Sequence, residues 1–229
     1  MPYPATATEY SKPKVFVIAF MMAAIAGYIN SIMLIEFGMP VSQMTGIASH
    51  ISESGFYFEW QTLITSLLIL LSFIGGAFLS GLIIGHSQYQ EDRSYGVALL
   101  INSLALLLST LLAFYFSTLA LIFSAIACGL QNAMVASYKG LQVRTTHITG
   151  ISTDIGVHLA HRFKNKTPFN WKAWLLFCIL AGFILGGFLG ILGFQSFDYL
   201  ALAIPAISNG VLALLYFHYL STTSKAQQR

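Results

Sequence analysis

Five stretches of the chain contain no Lys, Arg, Asp or Glu: 15–35, 60–90, 94–138, 173–197 and 199–224. They run for 21, 31, 45, 25 and 26 residues. A helix rises about 1.5 Å per residue, so a hydrocarbon core about 30 Å thick takes roughly 20 residues to cross. Four of the stretches each hold one span. The 45-residue stretch holds two, with a turn at Ser117–Thr118. Six helices are expected, near 15–35, 62–85, 97–116, 119–138, 173–194 and 199–219. Charged residues make up 8% of the chain, against about 25% in an ordinary soluble domain, too few to cover a water-facing surface. The expected fold class is an all-α integral membrane protein, a single polytopic domain over 1–229.

The first apolar stretch carries a signal-peptide-like Ala24-Ile25-Ala26. Its 21 residues exceed the roughly 7–15 of a secretory h-region, so it is read as a span.

Threading six helices with the N-terminus inside places Lys12, Lys14, Arg93, Lys139, Arg144, Arg162, Lys164, Lys166, Lys172, Lys225 and Arg229, all 11 bases, on one side. The other side receives Glu36, Glu53, Glu59 and Asp198. Lys and Arg resist translocation, so the expected location is an inner (plasma) membrane with both termini cytoplasmic. A nucleic-acid partner is excluded, because no soluble face combines clustered bases with aromatics. Cys128 and Cys178 both fall inside spans and read as packing residues.

Comparing the chain with itself reveals a repeat. Gly27-Tyr28-Ile29-Asn30-Ser31 matches Gly129-Leu130-Gln131-Asn132-Ala133 at an offset of 102, and Gly38-Met39-Pro40-Val41 matches Gly140-Leu141-Gln142-Val143 at the same offset. After a two-residue insertion, Thr45-Gly46-Ile47-Ala48-Ser49-His50-Ile51 matches Thr149-Gly150-Ile151-Ser152-Thr153-Asp154-Ile155 at 104. Gly75-Gly76 corresponds to Gly186-Gly187, and Asn102 to Asn209. Each unit, about 15–116 and 119–220, has three helices and a Thr-Gly motif loop after its first. An odd helix count turns the second copy over, which gives an inverted 3+3 repeat. Gly38 and Pro40 end the first helix, and Thr45 and Thr149 stand where N-caps would open new ones. These loops are either re-entrant broken helices or surface loops with a short amphipathic helix.

The Gly-x-x-Asn followed by Thr-Gly, then Gly-Leu-Gln-Asn-Ala (129–133) and Val-Arg-Thr-Thr-His-Ile-Thr-Gly (143–150), resembles the YoaK-like family of bacterial membrane proteins over roughly 15–220. The resemblance implies a bacterial membrane protein and supplies no substrate. The first unit departs from the family pattern, in which Gly-x-x-Asp is commoner than Gly27-x-x-Asn30.

Candidate substrate-binding residues are Asn30, Thr45, Gly46, Gln131, Asn132, Arg144, Thr149 and Gly150. Amides inside a span must find partners in the bundle. Thr-Gly at a helix start exposes N–H groups to an anion, and Arg144 adds a positive charge. Interhelical bonding, capping and topology are the bland readings of the same residues. Asn102 and Asn209 read as structural bonds. Asp154 and His158, one helical turn apart, with His50 as the repeat partner of Asp154, form a candidate ion or proton relay. No complete metal site and no cofactor is read from the sequence. Gly182, Gly186 and Gly190, with Gly76, Ser80 and Gly81, read as small-xxx-small packing rows, and Trp60, Trp171 and Trp174 as interfacial anchors.

The expected function is a secondary transporter or channel for a small solute or ion, with its site between the repeats. The alternative is a membrane-embedded assembly or regulatory partner. An enzyme is not expected, because the spans carry no GxSxG, no HExxH and no paired carboxylates. The expected partners are the bilayer and an unidentified small solute or ion; a homo-oligomer stays open.

Overall fold

The computed structural model describes residues 12–85, 93–134 and 145–227. Within them lie eight α-helices: α1 Lys12–Phe37, α2 Met44–Phe56, α3 Trp60–Ile84, α4 Arg93–Ala113, α5 Ser117–Met134, α6 Ile148–Asn165, α7 Trp171–Phe197 and α8 Ala203–Gln227. A 3-10 turn at Asp198–Leu202 joins α7 to α8, and the described residues contain no strand. Five segments are long and apolar enough to cross a membrane: Pro13–Phe37, Trp60–Ile84, Arg93–Ala113, Ser117–Met134 and Trp171–Thr222. The last, 52 residues long, contains α7, the 3-10 turn and α8. This is a multi-pass, all-helical membrane protein.

The outward faces of these helices are apolar. Leu71, Ile74, Phe78 and Leu82 on α3, and Ile184, Leu185 and Phe188 on α7, are all more than half exposed. Such rows would aggregate in water and belong in lipid. The interior instead gathers small residues and neutral polar groups. Among the described residues, every buried polar side chain is Ser, Thr, Asn or Gln.

Glycine sets the two closest helix crossings. At α1–α7, a Cβ added to Gly182, Gly186 or Gly190 would lie 2.7, 2.0 or 2.5 Å from the carbonyl oxygens of Phe20, Ala24 and Tyr28. Both series rise together, so the two helices run parallel. A Cβ on Gly27 would stand 2.0 Å from Phe183 O. At α3–α5, a Cβ on Gly76 would stand 2.1 Å from Ile126 O, and one on Gly129 would stand 2.0 Å from Phe73 O. Without a hydrophobic drive between helices in lipid, such backbone approach supplies the packing energy. The rows differ from expectation at Gly81, which has nothing within 4 Å of its would-be Cβ and faces open space. Ser80 is buried.

One apolar cluster around Ile29, Ile32, Met33, Ile69, Leu106 and Leu202 fills the centre and one end of the bundle. At that end Tyr199 stacks on Phe37 at 6.2 Å and meets Phe114 and Phe194 edge-on at 5.2 and 5.7 Å. Its hydroxyl donates to Glu36 Oε1 at 2.6 Å, and Tyr28 donates to Ala201 O at 3.2 Å. These contacts tie the 3-10 turn to the end of α1. Trp60 and Trp174 are exposed at the first turns of α3 and α7, as interfacial anchors require.

Candidate functional site

The polar groups singled out in the sequence begin with Asn30, about two turns before α1 ends at Phe37. Gly38, at φ +67°, terminates that helix and donates its N–H to Leu34 O, the left-handed cap that glycine adopts without strain. The chain then turns at 41–42 and enters α2. Asn30 is buried and fixes this turn. Its Oδ1 accepts from the Ser42 N–H at 3.0 Å and the Ser42 hydroxyl at 2.9 Å. The first motif therefore satisfies itself.

The second motif is laid out alike. The turn at 145–146 leads into α6 as 41–42 leads into α2, and burial agrees position by position over 41–49 and 145–153. Ser49 donates to Thr45 O at 3.2 Å, and its counterpart Thr153 donates to Thr149 O at 3.1 Å. The chemistry at the core of the two copies differs. Asn132 Oδ1 has no hydrogen-bond partner among the described residues, and neither does the Oγ1 of fully buried Thr145. Gln131, also buried, spends its Nε2–H on Met22 O at 2.7 Å and pins α5 to α1. Arg144 lies outside the described residues.

Thr45 and Thr149 do not cap their helices. The N-caps are Gln43 and His147, neither of which makes a side-chain capping bond, and each Thr is the second helical residue with an exposed side chain. Fixing the turn at Ser42 starts α2 one residue before the Thr. Gly46 and Gly150 are half-buried, and a Cβ on Gly150 would meet the His147 ring at 2.4 Å. Both short helices bury a single apolar edge: Ile47 in α2, and Ile151 and Ile155 in α6. α2 packs on α3, and α6 packs on α7. Each is a continuous helix with one buried edge, as an amphipathic helix packed on a span would have.

His50 is half-buried on α2, Asp154 is exposed on α6, and His158 is half-buried one turn later. His50 and Asp154 thus sit on different helices that pack on different neighbours. Among the described residues, no three His, Cys, Asp or Glu side chains gather to hold a metal.

Asn102 and Asn209, read from the sequence as structural bonds, are bonded; their partners and the Ser109–Ser124 contact were not legible there. Asn102 donates to Ala127 O at 2.7 Å and accepts from Asn209 Nδ2 at 2.7 Å. Ser109 and Ser124 share a 2.8 Å hydroxyl contact between α4 and α5, and Ser109 also donates to Ala120 O. The offset of 107 between Asn102 and Asn209 was the available signal for the first of these. The self-comparison had already set these two positions against each other.

The two glycine crossings resemble each other in detail. Gly76 meets Ile126 O, and Gly186 meets Ala24 O; Gly129 meets Phe73 O, and Gly27 meets Phe183 O. Residues 24 and 126, like 27 and 129, are 102 apart, whereas 76 and 186, like 73 and 183, are 110 apart. The contacts of Gly76 thus resemble those of Gly186, one residue from the sequence match of the two Gly-Gly pairs.

Among known families, the one described as Protein of unknown function (DUF1275) matches residues 18–215. No curated protein and no solved structure matches the chain.

Proposed function

The chain belongs to the DUF1275 family, and from that premise we propose that it is a transporter of a small polar solute, built as an inverted 3+3 repeat. In this reading α1, α3 and α4 form one unit and α5, α7 and α8 the other. The 52-residue final segment counts as two spans, divided at the 3-10 turn. Both termini and α6 face the cytoplasm of a bacterial inner membrane, because that threading puts all 11 bases on one side.

The observation that carries the reading is the pair of glycine crossings. α1–α7 and α3–α5 are closed by corresponding glycines against corresponding carbonyls, at nearly the same distances. Two units of three helices related in this way, with polar groups where they meet, form the architecture of secondary transporters. The solute site is assigned to the second copy. There Asn132 Oδ1, the counterpart of the bonded Asn30 Oδ1, has no partner among the described residues, and Thr145, which stands where the first copy has Val41, adds a second unpartnered polar atom. A solute with donor groups would satisfy the Asn132 oxygen, and the Thr145 hydroxyl would answer an acceptor.

The test is thermal stabilisation of the purified protein by a panel of anions, amino acids and divalent metals, run on the wild type, Asn132→Ala and Asn30→Ala. At least one solute should raise the unfolding temperature of the wild type and of Asn30→Ala but not that of Asn132→Ala. No shift with any class, or a shift that survives Asn132→Ala, would remove this site.

A further inference from the structure

Asn102 on α4 and Asn209 on α8 are both fully buried and meet where the two helices cross. The direction of their hydrogen bonds is forced. Ala127 O only accepts, so Asn102 must turn its Nδ2 toward α5. Its Oδ1 then faces Asn209, which must answer with Nδ2. All the donors point one way, and Asn209 Oδ1 is left without a partner. An unpaired amide oxygen at zero exposure is rare and calls for a reason.

The repeat supplies the reason. The offset of 102 carries Ala127 to Ile25 on α1, and the offset of 107 exchanges Asn102 and Asn209. α4 lies along α5, held by Ser109 and Ser124, while the equivalent pair, α8 and α1, barely touch. The pair of amides is therefore symmetric in kind but bonded on one side only.

We propose that the Asn102–Asn209 pair is a two-position switch. In the second position α8 closes on α1, and α4 tilts away from α5 at Ala127, pivoting about the 114–116 turn that joins them. Asn209 Nδ2 then donates to Ile25 O, Asn102 Nδ2 donates to Asn209 Oδ1, and Asn102 Oδ1 becomes the unpaired atom. Each position has two bonds and one orphan, so the exchange costs little in hydrogen bonding. Packed helices with two such discrete arrangements are the usual elements of alternating access. The inference rests on the inverted-repeat transporter reading.

The experiment uses two cysteine pairs in the full-length protein carrying Cys128→Ala and Cys178→Ala. Ser109→Cys with Ser124→Cys reads the position described above, since the two hydroxyls are 2.8 Å apart. Met22→Cys with Tyr216→Cys, the same pair carried over by the two offsets, reads the other position. Asn102→Leu removes both bonds of the first position and spares the Asn209–Ile25 bond of the second; Asn209→Leu does the reverse. With a membrane-permeant oxidant, Asn102→Leu should raise the ratio of 22–216 to 109–124 cross-linking about tenfold, and Asn209→Leu should lower it, by the worth of one buried hydrogen bond. Asn102→Ala and Asn209→Ala should shift the ratio with the same opposite signs, which guards against a leucine that misfolds. Shifts of equal sign, or no shift, would overturn the switch and reduce the pair to a structural bond. Should the solute panel still find a ligand in that case, the transporter reading survives. A ratio that swings as expected while no solute binds supports the switch and removes the transporter.

Discussion

Gly76 and Gly75 are neighbours in α3 with opposite surroundings, so one added methyl group tests the crossing directly. A Cβ on Gly76 would lie 2.1 Å from Ile126 O, 2.9 Å from its carbonyl carbon and 2.9 Å from Leu130 N, all backbone atoms of α5. A Cβ on Gly75 meets nothing within 4 Å. Ordinary contact begins near 3.4 Å, so Gly76→Ala requires α3 and α5 to part by more than an ångström along the whole crossing. Backbone cannot rotate away as a side chain can, which puts the cost at the upper end of the roughly 1–3 kcal/mol usual for overpacking, or beyond it. Gly75→Ala should be neutral or stabilising by a few tenths of a kcal/mol, as removing a helical glycine ordinarily is. The assay is thermal unfolding in detergent, followed by tryptophan fluorescence and by loss of the monodisperse peak on size exclusion. Gly186→Ala, with its Cβ 2.0 Å from Ala24 O, should behave like Gly76→Ala. A Gly76→Ala protein as stable as Gly75→Ala would refute the close approach. A Gly186→Ala protein unlike Gly76→Ala would refute the equivalence of the two crossings.

Asn30→Ala strips the acceptor from two donors of Ser42 and should cost about 2 kcal/mol, visible as an unfolding temperature lowered well below that of the exposed-site control Asn165→Ala; equal values would mean that the turn is held by something else. Reporter fusions after Arg93, Lys166 and Arg229 should read cytoplasm and fusions near Glu53 the exterior; an external signal at Lys166 would overturn the threading. Cysteine at exposed Ser152 should label rapidly with impermeant thiol reagents from the cytoplasmic face, while cysteine at buried Ser42 should label slowly from the other; rapid labelling at Ser42 would contradict the Asn30 bonds.

The spans were legible because charge is excluded from hydrocarbon at every position, a rule that needs no partner. Their ends were less so. α8 was expected from 199, but Asp198 adopts φ +53° and the 3-10 turn takes up the next residues, so the helix starts at Ala203. Pro205 was the signal for that start, since proline is accepted in a first helical turn. The motif threonines looked like caps because a side chain's hydroxyl can be read from sequence, whereas the turn that sets the helix start depends on Asn30 reaching twelve residues ahead. The candidate amides were found as a set, because buried amides must be bonded. Which of them bond to each other depends on how closely α4 approaches α5 and α8, and that follows from packing.

The neutrality of the interior has an electrical consequence. Moving one elementary charge through the membrane field takes about 2.3 kcal/mol per 100 mV. The buried polar groups among the described residues are amides and hydroxyls, with no ionised side chain to feel that field. Rearranging these buried groups moves no gating charge. If the protein transports as proposed, a voltage dependence arising in these groups would count only the charge of the solute and the ions travelling with it.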